Sequence, residues 1–189
     1  MTAITNTTRN GIDVAQVYGT LDAIAADPSL ARFEFRVSNR WITGTHSRST
    51  IQGFHGAGQE DASREQPFVV DASEPPVLLG HNEAPNPAEL LMHALAGCLT
   101  LTIVNVAAAR KVTLTEVSSR LEGELDARGA LGLDDSIRNG FNRLSVAFTV
   151  RGDASPEKLR EIVERAKARS VVYDIVTNGV PVDVTAEVG

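Results

Sequence analysis

Hydrophobic and polar side chains alternate in the first third of the chain, which is typical of half-buried β-strands. The clearest case places Phe33, Phe35 and Val37 on one face of a segment whose other face carries charged residues. A turn at Gly44 joins this segment to a return strand, so we expect a hairpin. The predicted strands cover residues 31–41, 45–54 and 67–70. The polar, glycine-containing segment 56–65 is predicted to be a loop.

A long apolar segment follows and predicts a central helix. Asn86 is a good N-cap, Pro87 suits the first helical position, and Glu89 completes a capping box. Residues 90–109 are also close to bilayer length, so a membrane span is the competing interpretation. Polar residues inside the segment, and the lack of flanking basic clusters or aromatic belts, favour a buried helix. Because every face of this helix is largely apolar, we expect it to be covered on all sides.

The second half of the chain continues with strands and helices in alternation. A strand that ends near Leu125 and a strand over residues 141–150 predict a second hairpin. Ser155 caps a helix that ends near Arg169, and alternating valines predict a closing strand over residues 180–188. The order ββ–α–ββ–α–β indicates an α+β fold with antiparallel sheets.

The N-terminal residues 1–30 are predicted to be a helical appendage to one domain that covers residues 31–189. Apolar residues at helical spacing predict a helix over residues 11–26. The polar start of the chain lacks the basic-then-apolar pattern of a signal peptide, so we expect a cytoplasmic protein.

Composition narrows the classes of function. A net charge of −6 without a basic stripe argues against nucleic acid as a partner. The single cysteine, Cys98, excludes an internal disulfide and a cysteine-only zinc site, and suits a reducing compartment. The four histidines lack ligand spacing, and the glycines at 56–58 precede no predicted helix, so we expect neither a metal nor a cofactor.

Cys98 is the candidate nucleophile, although a buried structural thiol is the competing interpretation. A reactive thiol needs a neighbour that stabilises its thiolate. The N-terminus of its own helix is too distant, and His93 and Glu89 lie on other faces of that helix. We therefore expect activation from another segment, with Arg48 or Arg40 of the first hairpin as candidates, or from a second subunit.

Several motifs resemble one known family of proteins. They read NPAELL (86–91), ALAGC (94–98), SRLEGELD (119–126), SVVYD (170–174) and VPV (180–182), with NRW (39–41) and GTHSR (44–48) upstream. Together they resemble the OsmC/Ohr family of thiol peroxidases, and most of all its OsmC-like branch. The resemblance implies an intertwined homodimer around two long central helices. It also implies reduction of organic hydroperoxides by Cys98, with assistance from an arginine, for which Arg48 is the first choice and Arg40 the second.

Two positions depart from the family pattern. Ser170 stands where the resolving cysteine would be, so no internal disulfide can form and an external thiol must regenerate Cys98. Ala88 stands where an assisting glutamate would be, and Glu89 follows one residue later. Glu89 and Ser170 are therefore our candidate ligand-binding residues.

The predicted function is reduction of organic hydroperoxides in oxidative stress by a one-cysteine mechanism, in a homodimer that uses an external thiol reductant. The alternative is a non-catalytic dimer that has lost the two-cysteine cycle and binds a small apolar ligand between its subunits. A hydrolase or transferase that pairs Cys98 with a histidine base is disfavoured, because no histidine lies beside it in the sequence. We expect no contact with nucleic acid or a membrane.

Overall fold

The structure is a computed structural model that describes residues 8–189. It contains two compact units. The N-terminal unit comprises residues 12–91 with Thr8, and the C-terminal unit comprises residues 92–189 with residues 9–11. Both consist of helices and antiparallel strands, which confirms the predicted α+β class. The predicted appendage stays a prediction, and its first seven residues lie outside the described part of the chain.

Helix α1 lies at the start of the N-terminal unit. The first elements are β1 (Thr8–Arg9), β2 (Ile12–Asp13) and α1 (Val14–Ala26). The side chain of Asp13 accepts hydrogen bonds from the backbone N–H groups of Ala15 and Gln16 and so caps α1. The helix predicted over residues 11–26 is therefore confirmed, with its start three residues later than expected.

Six short strands form two three-stranded antiparallel sheets in the same unit, β3-β6-β7 and β4-β5-β8. The strands are β3 (Glu34–Phe35), β4 (Ser38–Thr43), β5 (His46–Ile51), β6 (Phe54–Gly56), β7 (Gln59–Asp61) and β8 (Phe68–Ala72). The predicted hairpin is confirmed by the pairing of β4 with β5 around Gly44, which has a φ of 52°. The single strand predicted over residues 31–41 is instead split, and its two parts join different sheets.

The loop predicted over residues 56–65 is wrong in part, because β6 and β7 pair there as a tight hairpin. Its two turn residues, Ala57 and Gly58, both have positive φ, 50° and 79°. That combination is the one a two-residue hairpin turn requires. Strand β7 is short and polar throughout, so no alternation of hydrophobic residues marks it in the sequence.

The C-terminal unit contains the hydrophobic core. The remaining elements are α2 (Pro87–Ala109), which begins in the N-terminal unit, β9 (Leu114–Glu124), α3 (Ala127–Ala130), β10 (Arg143–Gly152), α4 (Pro156–Lys167) and α5 (Val171–Asn178). Strands β9 and β10 pair antiparallel along almost their whole length, which confirms the second hairpin. The buried hydrophobic residues among those described are Leu95, Leu99, Ile103, Val106, Ala107, Ala108, Val112, Ile162 and Ala166.

Helix α2 confirms the predicted central helix but not its complete coverage. Its buried side chains follow one face, whereas Leu101 on another face is 66% exposed. One face packs within the C-terminal unit, and the single chain supplies nothing to cover Leu101. By length and composition α2 is the one described helix that could cross a membrane. The same composition is compatible with a core helix, and α2 supplies six of the nine buried hydrophobic residues.

The closing strand predicted over residues 180–188 is absent from the described structure. Strand structure requires a neighbouring strand to pair with the backbone N–H and C=O groups. No such pairing occurs here, and Val184 is 86% exposed. The structure instead contains helix α5 before this segment, which the sequence analysis did not predict.

Candidate functional site

Cys98 lies near the middle of α2, beside the buried face of that helix, and is half-buried. Its sulfur accepts a hydrogen bond from the hydroxyl of Ser170, with an Oγ–Sγ distance of 3.1 Å. Ser170 is 2% exposed. The structure therefore brings together two of the candidate residues, although 72 positions separate them in the sequence.

Ser170 holds its position because it is also the N-cap of α5. Its Oγ accepts a hydrogen bond from the backbone N–H of Tyr173 at 3.2 Å. The backbone N–H groups of Val171 and Val172, in the first turn of α5, also interact with the sulfur of Cys98. The thiol thus faces the N-terminal end of a helix, where partial positive charge accumulates.

These contacts determine the ionisation of the thiol. Burial raises the pKa of Cys98, but the hydrogen bonds from Ser170 and from the backbone N–H groups of Val172 and Val171 are among the contacts that outweigh it. The net result is a pKa below the ordinary value for cysteine. Helix N-termini are a recognised cause of reactive, low-pKa thiols, since they favour the charged form.

From the sequence alone, the N-terminus of α2 was the candidate helix end for Cys98, and the N-terminus of α5 was missed. A signal for α5 was present, because a serine precedes a run with an acidic residue, Asp174, in its first turn. The run is only eight residues long and was considered only as part of a family motif. What its N-cap would face could not be known before the chain was folded.

Arg48 lies on β5 of the N-terminal unit and is held by Asp71 on β8, which is directly opposite. The pair is bidentate, with Nε–Oδ1 at 2.7 Å and Nη2–Oδ2 at 2.8 Å. The Arg48 guanidinium holds the pKa of the Asp71 carboxyl well below its usual range. Nε2 of His46 lies 3.1 Å from Oδ2 of the same carboxylate, outside hydrogen-bond geometry. Arg48 is therefore a half-buried, oriented cation.

Arg40 lies on β4, directly opposite Arg48 on the other side from Asp71, and is exposed. Two like charges that face each other across strands repel, so Asp71 also offsets this repulsion. Arg40 and Arg48 are thus cross-strand neighbours in the N-terminal unit, whereas Cys98 belongs to the C-terminal unit. The assistance of either arginine to Cys98 stays a prediction.

Glu89 has a structural contact at the start of α2. Its Oε2 accepts a hydrogen bond from the backbone N–H of Asn86 at 2.8 Å, and Oδ1 of Asn86 accepts one from the N–H of Ala88 at 2.7 Å. The bond from Asn86 N–H to Glu89 is the one predicted for a capping box, whereas the Asn86 side chain caps the N–H of Ala88 and not that of Glu89. The further role of Glu89 in binding a ligand stays a prediction.

Outside the surroundings of Cys98, the described residues form open grooves but no metal-ligand cluster. No group of three or more His, Cys, Asp or Glu residues among those described could hold a metal ion. An open groove of about 430 Å³ in the N-terminal unit is lined mainly by apolar residues of α1 with Leu30, Phe33 and Ala57. A second groove, of about 740 Å³, lies between β10 and α4 in the C-terminal unit.

Comparison with protein families gives a match to the OsmC-like protein family over residues 80–185, which is more than half of the chain. No curated relative matches the chain.

Solved structures with the same fold include an OsmC-like protein from Mycoplasma pneumoniae, with a TM-score of 0.55, 12% identity, and coverage of 76% of this chain and 86% of that one. A proposed osmotic stress induced and detoxification response protein from Psychrobacter arcticus gives a TM-score of 0.56, 15% identity, and coverage of 76% and 88%. An OsmC-like protein of unknown function from Vibrio cholerae gives a TM-score of 0.52, 14% identity, and coverage of 76% and 94%.

Proposed function

The chain belongs to the OsmC-like protein family, and on that premise we propose that it reduces organic hydroperoxides with the sulfur of Cys98. The observation that carries this proposal is the position of the thiol at the N-terminal end of α5, where hydrogen bonds lower its pKa. A buried structural thiol has no need of donors directed at its sulfur, and burial alone would raise its pKa.

The reaction would begin with attack of the Cys98 thiolate on one peroxide oxygen. The O–O bond breaks, the sulfur is oxidised to a sulfenic acid, and the other oxygen takes a proton and leaves as an alcohol. Cys98 is the only cysteine of the chain, so resolution requires an external thiol. That thiol displaces water from the sulfenic acid to form a mixed disulfide, and a second external thiol releases reduced Cys98.

Arg48 is the arginine we propose to assist this reaction. Its bidentate pair with Asp71 fixes the direction of the guanidinium. The exposed Arg40 forms no such pair with the described residues. A fixed cation would stabilise the negative charge that develops on the departing oxygen.

The first test replaces Cys98 by serine and exposes both reduced proteins to one equivalent of an organic hydroperoxide. We expect the original protein to gain one oxygen atom by intact mass, with reversal by a dithiol, and the Cys98→Ser variant to lose turnover completely. A protein alkylated at Cys98 beforehand serves as a second control. Unchanged turnover in the variant, or no oxygen gain in the original protein, would end the proposal.

We also propose that the protein acts as a homodimer. Large apolar side chains lie exposed on α2 and α5 and throughout the N-terminal unit, and a second copy of the chain would remove them from water. Light scattering at micromolar concentration should give about twice the 20.2 kDa of one chain. A mass near 20.2 kDa would contradict the dimer.

The second candidate function is binding of a small apolar ligand. The apolar groove beside α1 favours it, because such grooves are lined by hydrophobic side chains with few polar groups. An inert Cys98 in the hydroperoxide test, together with a lipid-like molecule that co-purifies with the protein, would support this function over peroxide reduction.

A further inference from the structure

The hydroxyl of Ser170 is the acceptor in one hydrogen bond and the donor in another. It accepts the N–H of Tyr173 at 3.2 Å and donates to the sulfur of Cys98 at 3.1 Å. A serine hydroxyl has one proton to donate, and here that proton is directed at the sulfur. Since Ser170 is 2% exposed, water is no alternative acceptor.

Two other serines show what is special about this arrangement. Ser155 caps α4 in the same way, by accepting the N–H of Lys158 at 3.3 Å, but it is exposed and its proton is free to bond water. Ser73 is as buried as Ser170, and its hydroxyl donates to a carboxylate, Oε2 of Glu83, at 2.6 Å. Ser155 shows that a serine N-cap does not need a buried hydroxyl. Ser73 shows that a serine hydroxyl buried to the same degree donates its proton to a carboxylate.

A neutral thiol is a weak acceptor, whereas a thiolate is a strong one. A buried hydroxyl that is left with a weak acceptor loses the free energy of its hydrogen bonds to water without replacement. The hydrogen bond from the buried hydroxyl of Ser170 is therefore strongest when the sulfur of Cys98 is ionised.

We propose that Ser170 is a catalytic residue whose hydroxyl stabilises the thiolate of Cys98 by donating a hydrogen bond to the attacking sulfur. The proposal rests on the peroxide reaction inferred above. In that reaction Ser170 would affect both the ionisation of Cys98 and the fate of its sulfenic acid. It favours the ionised nucleophile before attack, and it cannot form a disulfide afterwards, so the sulfenic acid remains for an external thiol.

The test measures how fast iodoacetamide alkylates Cys98 across a range of pH in the full-length protein. Ser170→Ala and Ser170→Gly both remove the hydroxyl, and glycine is tolerated at a helix N-cap, so at least one variant should retain α5. We expect alkylation near pH 7 to slow roughly tenfold in both, and to recover where the thiol is fully ionised. Ser170→Thr, which keeps the hydroxyl, should retain most of the rate.

The matched control is Ser155→Ala, which removes the serine N-cap of α4 but no contact with the thiol. Its alkylation profile should coincide with that of the original protein. An unshifted profile in a folded Ser170→Gly variant, or an equal shift in Ser155→Ala, would overturn the role of Ser170.

Oxidation by hydroperoxide separates this role from the proposed function. If Cys98 gains no oxygen while Ser170→Gly still shifts the alkylation profile, peroxide reduction fails and the stabilisation of the thiolate stands. If Cys98 gains oxygen equally fast near pH 7 with and without the hydroxyl, Ser170 is not catalytic. We expect instead that the variants react roughly tenfold more slowly near pH 7 and regain the rate at about pH 10.

Discussion

The two units of the protein differ in what holds them together. The C-terminal unit contains all nine buried hydrophobic residues among those described, whereas the N-terminal unit contains none. Aromatic side chains of the N-terminal unit lie in the open, and Phe35 is 69% exposed. The C-terminal unit therefore has its own hydrophobic core, whereas the described residues of the N-terminal unit leave many of their large apolar side chains exposed.

Polar and aromatic contacts replace a core in the N-terminal unit. Arg64 lies over the rings of Phe54 and Phe68, at 5.2 Å and 5.4 Å from their centroids. Arg48 pairs with Asp71 across the sheet. Each contact of these kinds contributes less to stability than the burial of an aliphatic side chain.

The candidate residues for the chemistry also lie in different units. Cys98 and Ser170 are anchored beside a packed core, so their geometry is a property of the C-terminal unit alone. The oriented Arg48 lies in the N-terminal unit, whose described residues include no buried hydrophobic side chain. We therefore expect the ionisation of the thiol to tolerate changes that disturb the N-terminal unit.

The largest expected effect comes from a cavity in the core. Ile162 is fully buried on α4, so Ile162→Ala should cost about 3 to 4 kcal/mol of unfolding free energy. Phe35→Ala removes an exposed ring and should cost less than about 1 kcal/mol in the monomer. Urea denaturation at several protein concentrations checks both values. Equal costs in the monomer would contradict the contrast between the units, and a Phe35→Ala cost that depends on protein concentration would show that a second copy covers the ring.

A smaller effect is expected for the ion pair of the N-terminal unit. The pKa of Asp71 is lowered in the folded protein, so its charge stabilises the fold above the ordinary pKa of about 4, and this stabilisation declines as the pH falls below that value. Asp71→Asn should therefore lower Tm by a few degrees near pH 7, with a difference that shrinks in acid.

The control for this pH dependence is Asp126→Asn. Arg128 lowers the pKa of Asp126 to about 2, but the two residues are sequence neighbours at the start of α3. A local pair of this kind restrains little of the chain, so we expect a smaller change in Tm. A Tm difference for Asp71→Asn that grew as the pH fell would contradict the proposed sign.

Prediction from the sequence succeeded where local signals were strong. The capping box that starts α2, the serine cap of α4 and the long alternation of β10 each specify an element without reference to the rest of the chain. It failed where an element was short or lacked a partner. Strand β7 is three polar residues, and the valines near the C-terminus show alternation without a strand beside them.

The sequence by itself determined the class of fold, the family resemblance, the central helix and the single thiol, because each depends on residue types and spacings a few positions apart. It also named Ser170, as the position that lacks the family's resolving cysteine and as a candidate ligand-binding residue. The tertiary structure alone decided that Ser170 caps α5 and donates to Cys98. This contact joins residues that are 72 positions apart in the sequence. A hydrogen bond between such distant residues forms only when the packing of the helices brings the N-terminus of α5 beside the side chain of Cys98.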